Sequence, residues 1–472
     1  GQDGEGARWT LLAFDPLWRL EARAGRLWRI ERNSSAAIPG EPLRALAQAW
    51  PERAALPDGI DVPFVSGLAG YLSYDLKDLI ERYPQRAKRE SACADLSLGF
   101  YDVVWAWDRW SGRGWVVATG LPEADPHRRE ERARTRLWAQ WALIVDGAPQ
   151  MRMDFGSGDA GDSGAAHTGS GAGSGAGSDA WGPASGVGGA ERAGAVSRVT
   201  SNFTRDGYRR VVERALEHIA AGDIYQVNLA QRFRVEAAPA PAALFRRLRE
   251  ESPAPFSAFL SFLGGGIVSS SPERFFRVQG SRIETWPIKG TRPRGATPEE
   301  DAALRAALLA SEKDRAENVM IVDLERNDLG RVCEIGSVGV PALWEVASYA
   351  NVHHLVSRVE GKLRPDAGPV DVIRALFPGG SITGAPKIRA VEIIDELEPV
   401  RRGVYTGAIG YWDVRGDCDW NIAIRTLVLG SGAASFHVGG GIVADSTPDG
   451  EYEETLVKAS AMLRALDARS EG

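Results

Sequence analysis

The spacing of apolar and polar positions along the chain predicts a mixture of helices and strands that does not alternate strictly. Apolar stripes at helical spacing predict helices over 205–221, 298–309, 314–323, 386–397 and 451–466; in the fourth, Ile388, Val391, Ile394 and Leu397 form a packing face. Short runs rich in β-branched and aromatic residues predict strands at 103–107 and 114–118, read as part of a buried sheet. Further strands are expected over 224–234, 258–270, 275–278, 282–287, 407–412, 421–429 and 434–438. Antiparallel-looking strands grouped between helices favour an α+β fold over a doubly wound one.

One stretch breaks the pattern. Residues 156–190 hold 13 glycines in 35 positions and almost no large apolar side chain, too little to bury a core. The expected organisation is a tryptophan-rich N-terminal part (1–150), a Gly/Ser/Ala-rich flexible linker (151–195) and a C-terminal part (196–472). Ten of the 15 tryptophans precede residue 142, and core packing accounts for them, with a small-ligand pocket among the rings as the second reading.

Composition narrows the function classes. A formal charge of −7, with basic residues such as Arg128, Arg129 and Arg132 mixed among acids, leaves no phosphate track, so nucleic acid is not an expected partner. Cys93, Cys333 and Cys418 match no metal or disulfide spacing. No stretch has the length of a membrane span, and residues 1–6 lack a signal-peptide pattern, so a cytoplasmic location and no membrane contact are expected.

Several constellations could carry chemistry. Lys289, flanked by Trp286, Pro287 and Ile288, lies sixteen residues after Glu273: an amine nucleophile near a proton donor, or a surface lysine and a strand-end charge. Asp314 with Glu317, and Glu451 with Glu454, are i, i+3 pairs that place two carboxylates on one helix face. Facing each other they would suit Mg²⁺; alone, each is ordinary helix surface with Lys313, Arg315 and Lys458 at hand. The glycine-rich segment 377–387 runs into a helix, with Pro386 at its first position, and favours an anion. It is not a Walker A loop, because Ala385 and Pro386 separate Gly384 from Lys387, so a carboxylate fits better than a nucleotide. A second cluster, Gly439 to Gly441 with Arg425 and Lys458, could hold another anion or simply form a turn. His353 and His354 open a short apolar segment, where a histidine is more often a satisfied core residue than a catalyst.

Taken together, Gly222 to Leu229, Ser271-Pro272-Glu273, Ala316-Glu317-Asn318, Asn327 to Arg331, Gly379 to Lys387 and Gly439 to Glu454 resemble the chorismate-utilising enzymes, over nearly all of residues 200–466. The resemblance implies two packed antiparallel β-sheets with helices outside, shared by both halves of the chain. It implies Mg²⁺ held chiefly by Glu317 and Glu454, supported by Asp314 and Glu451. It also implies substrate carboxylates oriented by Tyr405, Arg425, Gly441, Lys458 and the backbone of Thr383, Gly384 and Ala385.

Within that family, Lys289 in Pro-Ile-Lys-Gly-Thr and the sequence Gly-Gly-Ser-Ile-Thr-Gly resemble the branch that forms 4-amino-4-deoxychorismate for para-aminobenzoate and folate. Neutral Lys289 would attack C2 while Glu273 protonates the departing C4 hydroxyl, and ammonia would then displace the lysine. The anthranilate-forming branch usually has alanine at the lysine position and is the second reading, followed by a non-catalytic chorismate-binding subunit. Isochorismate and salicylate synthases carry a lysine where Gln226 stands, and Gln226 cannot activate water as that base does. His354 matches a histidine tied to pyruvate loss in the anthranilate branch, which leaves its part here open. No glutaminase-sized segment precedes the synthase and no cysteine sits in a nucleophile-elbow setting, so a separate glutamine amidotransferase is the expected ammonia source. In the N-terminal part, Ala13 and Phe14 replace the usual acid-serine pair of the tryptophan-binding segment. That argues against feedback by tryptophan while leaving room for a bound structural one.

Overall fold

The structure, a computed structural model, describes residues 8–56, 61–91, 93–147, 198–262, 265–349 and 352–468; the expected linker at 151–195 lies outside them. Among these residues the strands form three antiparallel sheets. The twelve-stranded sheet runs Ile288–Pro293, Val352–Lys362, Arg282–Thr285, Arg274–Gln279, Cys418–Ile422, Ala408–Asp413, Gly67–Leu72, Leu96–Tyr101, Trp18–Arg23, Arg26–Glu31 and Ser34–Ile38, with Gly339–Ser348 added beside Val352–Lys362. Strands from both ends of the chain therefore belong to one sheet, joined where Ala408–Asp413 pairs with Gly67–Leu72.

The seven-stranded sheet runs Phe256–Phe262, Gly265–Ser271, Thr426–Gly430, Ala433–Ile442, Gln226–Glu236 and Gly384–Ala385, with Val199–Ser201 paired to Gln226–Glu236. Tyr71 and Ile409 of the large sheet meet Ile267 and Val428 of the smaller one in an apolar layer between the two. Helices cover the outer faces: Pro42–Ala49, Glu312–Gly330 and Pro369–Leu376 pack on the large sheet, and Pro241–Glu251 and Pro448–Ala465 on the smaller. Arg205–Ala220 and Lys387–Leu397 close a third cluster over Val227, Leu229 and Ile442. This is the α+β arrangement of two packed sheets that the residue pattern and the resemblance led us to expect.

Some local expectations change. The tryptophan strands Val103–Asp108 and Arg113–Ala118 form a separate three-stranded sheet with Trp9–Leu12, and Trp107, Trp110 and Trp115 stay exposed. Trp9 packs on Trp115, and Arg8 lies over both Trp9 and Trp110. The expected strand 258–270 is two antiparallel strands, Phe256–Phe262 paired with Gly265–Ser271. The expected strand 421–429 is two strands, Cys418–Ile422 and Thr426–Gly430, one in each large sheet. Arg425, at φ +49°, makes the corner between them. Pro386 is the N-cap rather than the first residue of Lys387–Leu397. The helix expected at 314–323 extends over Glu312–Gly330, capped by the Ser311 side chain on Asp314 N.

Candidate functional site

Lys289 is placed by an irregularity in its own strand. The pairing of Ile288–Pro293 with Val352–Lys362 shifts register between Ile288 and Thr291, and Gly290 has φ +84°. Such a bulge re-aims the side chain beside it. Glycine is also required sterically, since a Cβ there would lie 2.9 Å from Cβ and Cγ of Asp314 and 3.0 Å from Cδ1 of Leu308. The strand thereby approaches the Glu312–Gly330 helix closely.

Lys289 remains partly exposed by surface area, yet protein atoms surround it densely. No hydrogen bond or ion pair engages its amine among the described residues. Desolvation lowers its affinity for a proton, while Glu317, Glu273 and Glu454 pull the other way. The net direction is down, toward the neutral amine. Glu273 is buried and shifts oppositely: desolvation raises its carboxyl above the usual range, against a hydrogen bond from Ser381 and the charges of Lys289 and Lys458. Ser381 Oγ donates to Glu273 Oε1 at 2.7 Å. The Glu273 backbone is fixed by Ser271 Oγ at 3.3 Å and by Ile422 N at 3.0 Å.

Two helices bring acidic residues close to Lys289, Glu317 from one and Glu454 from the other. Glu451 and Glu454 sit over Gly440, where a Cβ would lie 2.8 Å from Glu451 Oε2 and 3.3 Å from Glu454 Oε1. Glu451 Oε1 accepts from Ser446 Oγ at 2.6 Å, whereas Glu451 Oε2 is buried without a partner. Glu317, across from them, feels the charges of both Glu454 and Lys289, and burial raises its carboxyl. Asp314 is drawn aside into an ion pair with Arg292 at 2.9 Å. Lys458 binds Glu454 at 2.6 Å and the Gly439 carbonyl at 2.9 Å, and Lys313 stands 4.0 Å from Glu317. Arg315, a further neighbouring cation, lies over Trp344 instead. Among the described residues no three His, Cys, Asp or Glu side chains converge into a closed metal cage. Hard oxygen donors, one of them an orphan, suit a cation that keeps water and takes one or two carboxylates, which is how Mg²⁺ binds.

The remaining candidates differ in their surroundings. Arg425 has no acid partner and no hydrogen bond from its side chain among the described residues, so desolvation alone lowers its proton affinity. An unpaired guanidinium of this kind is a ready anion site. His354 bonds Thr291 Oγ1 through Nδ1 at 2.9 Å, and burial with Arg425 nearby lowers it to about 4, which leaves it neutral. His353 instead ties Asp301 (2.9 Å) to Ser348 (2.8 Å) as a core bracket. Gln226 is buried with both amide atoms unpartnered, beside Gly441, where a Cβ would meet its Nε2 at 3.1 Å.

The Thr383 hydroxyl is spent on the Gly379 carbonyl (2.8 Å), and the Thr383 and Ala385 carbonyls accept from Asn228 N and Tyr225 N. Gly384 has φ +142° and pairs with Val227, an approach that a Cβ would block at 2.1 Å from the Gln226 carbonyl. Tyr405 stacks on His437 and lies beside Arg402. The sequence reading singled out neither Arg402 nor Glu398. Arg402 makes a buried ion pair with Glu398 at 2.6 Å, donates to the Asn228 carbonyl at 2.8 Å and the Ile382 carbonyl at 3.1 Å, and covers the Tyr74 ring. Glu398 also accepts from Ala230 N at 2.9 Å. The i, i+4 spacing of Glu398 and Arg402 was the trace of this pair in the sequence.

Residues 2–464 match the family model described as chorismate binding enzyme, and the chain belongs to that family. It is 34% identical to aminodeoxychorismate synthase component 1 of Bacillus subtilis, covering all of this chain and 92% of that one. The component 1 of Escherichia coli is 37% identical over 98% of this chain and 90% of its own length. An aminodeoxychorismate synthase of Streptomyces griseus is 54% identical over 57% of this chain, which spans only 37% of that longer protein. Among solved structures, anthranilate synthase component I from Streptococcus pneumoniae superposes with a TM-score of 0.78 at 30% identity, covering 98% of this chain and 93% of that one. Among the described residues no helix is long and apolar enough to cross a membrane.

Proposed function

We propose that the chain is component I of aminodeoxychorismate synthase, exchanging the C4 hydroxyl of chorismate for an amine while keeping the enolpyruvyl group. The observation that carries this reading is the pairing of an unpartnered Lys289, biased toward the neutral amine, with Glu273, biased toward its acid form. A neutral amine is the competent nucleophile, and a carboxyl that keeps its proton is the competent acid.

Lys289 Nζ bonds to C2, the ring double bonds shift, and the C4–O bond breaks as the Glu273 proton leaves with the hydroxyl as water. Ammonia then bonds to C4, the C2–N bond breaks to restore Lys289, and the proton shed by the incoming nitrogen returns to Glu273. Ser381 orients the Glu273 carboxyl throughout through its hydrogen bond. Arg425, supported by Lys458, neutralises substrate carboxylate charge. Gln226 cannot act as a strong base, so water attack at C2 has no base at that position.

Glu317 and Glu454, with Glu451 beside them and Asp314 in support, would hold Mg²⁺, which supplies positive charge to the ring carboxylate when bound. The names of the B. subtilis and E. coli relatives favour a partner subunit as the ammonia source, and we assign that part to a separate glutamine amidotransferase. The rival reading, anthranilate formation, has its own support in a 40% identical anthranilate synthase component 1 of Haloarcula marismortui, covering 86% of this chain. Incubation with chorismate, ammonium and Mg²⁺ separates the two. A product that a downstream lyase converts to para-aminobenzoate is expected; fluorescent anthranilate without a lyase would refute the assignment.

A further inference from the structure

The bulge that aims Lys289 is pinned on both sides, and neither pin has a part in the reaction as written. Beyond the bulge, Thr291 pairs with His354, and its hydroxyl meets His354 Nδ1. Before it, Ile288 pairs with Val356, and Ser357 N donates to the Pro287 carbonyl at 3.1 Å. Ser357 is the more connected of the two pins. Its Oγ donates to Asn318 Oδ1 at 2.5 Å and accepts from Trp344 N at 3.1 Å. One residue, 1% exposed, thus ties the Lys289 strand to the Glu312–Gly330 helix and to the edge strand Gly339–Ser348. Asn318 directly follows Glu317, so the bracket grips the helix beside one of the acids nearest the nucleophile.

Two unfavourable features accompany this bracket. Asn318 is fully buried, and its Nδ2 has no hydrogen-bond partner among the described residues. A buried donor left unmet is destabilising. Trp344 adopts φ +59°, a left-handed conformation that a bulky side chain rarely takes, where its strand shifts register between Ala342 and Glu345. That shift presents Trp344 N to the Ser357 hydroxyl. Strain of this kind persists where the geometry it enforces is used, and here that geometry is the seat of Lys289.

We propose that Ser357 and Asn318 are positioning residues for the nucleophile, fixing the Lys289 strand against the helix that bears Glu317 so that Nζ lies at attacking distance from C2 of bound chorismate. Both act through the backbone they hold. A misplacement of about 1 Å in a reacting group can lower a rate by about a hundredfold, so a bracket remote from the chemistry still governs it. The inference rests on the proposed covalent reaction at Lys289.

The test is made on the full chain with Ser357→Ala and with the double variant Ser357→Ala, Asn318→Leu. The double variant replaces both partners of the side-chain bond by apolar groups, so its Tm is expected to stay within about 4 °C of wild type. Adduct formation from chorismate and Mg²⁺ without ammonia is followed by mass spectrometry. At saturating chorismate it is expected to slow by a factor on the order of ten to a hundred in both variants. The chorismate and Mg²⁺ concentrations giving half the maximal rate are expected to stay within about twofold of wild type. A merely structural role would slow the reaction only in proportion to the folded protein lost, and a role exerted through Glu317 would raise the Mg²⁺ requirement. Either of those results, or saturated adduct rates within about twofold of wild type in both variants, would overturn the inference. Wild-type protein that forms no adduct would refute the underlying reaction and this inference with it, whereas an adduct in wild type with no slowing in the variants would refute this inference alone.

Discussion

Lys289 and Glu273 are shifted in opposite directions by one cause, burial, which disfavours a charge of either sign. The sequence made both residues visible through their motifs, but not the hydrogen bond that trims Glu273. Ser381 reaches it from 108 positions away in the chain, and only the folded loop brings them together. The pH dependence follows. The proposed reaction needs neutral Lys289, favoured as pH rises, and protonated Glu273, favoured as pH falls, so kcat/KM for chorismate should be bell-shaped. Ser381 stabilises the Glu273 carboxylate, and its removal raises the Glu273 pKa further. Ser381→Ala should therefore move the Glu273 limb to higher pH by roughly one unit and leave the Lys289 limb in place. A profile that keeps both limbs would contradict the assigned role of Glu273.

At the scale of elements, the i, i+3 carboxylate spacing on Glu312–Gly330 and Pro448–Ala465 was legible because helical periodicity alone determines which residues share a face. The bulge at Lys289 was not. It depends on how closely Ile288–Pro293 approaches the Asp314 turn of a different element, which no local pattern encodes. The two-sheet passage through Arg425 was missed for the same reason, since an apolar run does not reveal which sheet each half joins. Gly290 carries a testable consequence. Gly290→Ala must adopt φ near +84° and push against Asp314 and Leu308, which costs about 1–3 kcal/mol. Thermal unfolding should show a modest loss of Tm, while turnover should fall by a larger factor because Lys289 is displaced. Turnover reduced only in step with Tm would mean that the bulge does not aim the nucleophile.

For the whole molecule, the resemblance led us to expect one sandwich shared by both halves of the chain, and the pairing of Gly67–Leu72 with Ala408–Asp413 is the joint that makes it so. The Arg402–Glu398 pair adds a second joint, linking Tyr74 of the N-terminal part to Asn228 and the Ile382 loop beside the site. Removing one partner of such a buried pair typically costs about 3–5 kcal/mol, so this hub holds the site's walls in register. Glu398 and Arg402 are only four residues apart, but Tyr74, Asn228 and Ile382 lie far from them in the chain, so the hub as a whole stayed hidden until the fold was known. All of these elements converge on one claim, that the chain forms a bond to its substrate through Lys289. The most direct measurement is mass spectrometry of the intact protein and its peptides after incubation with chorismate and Mg²⁺ without ammonia. An adduct on the peptide containing Lys289, discharged when ammonium is added and absent in Lys289→Ala, is the expected result. Unmodified Lys289 in a preparation that still turns chorismate over when ammonium is supplied would contradict it.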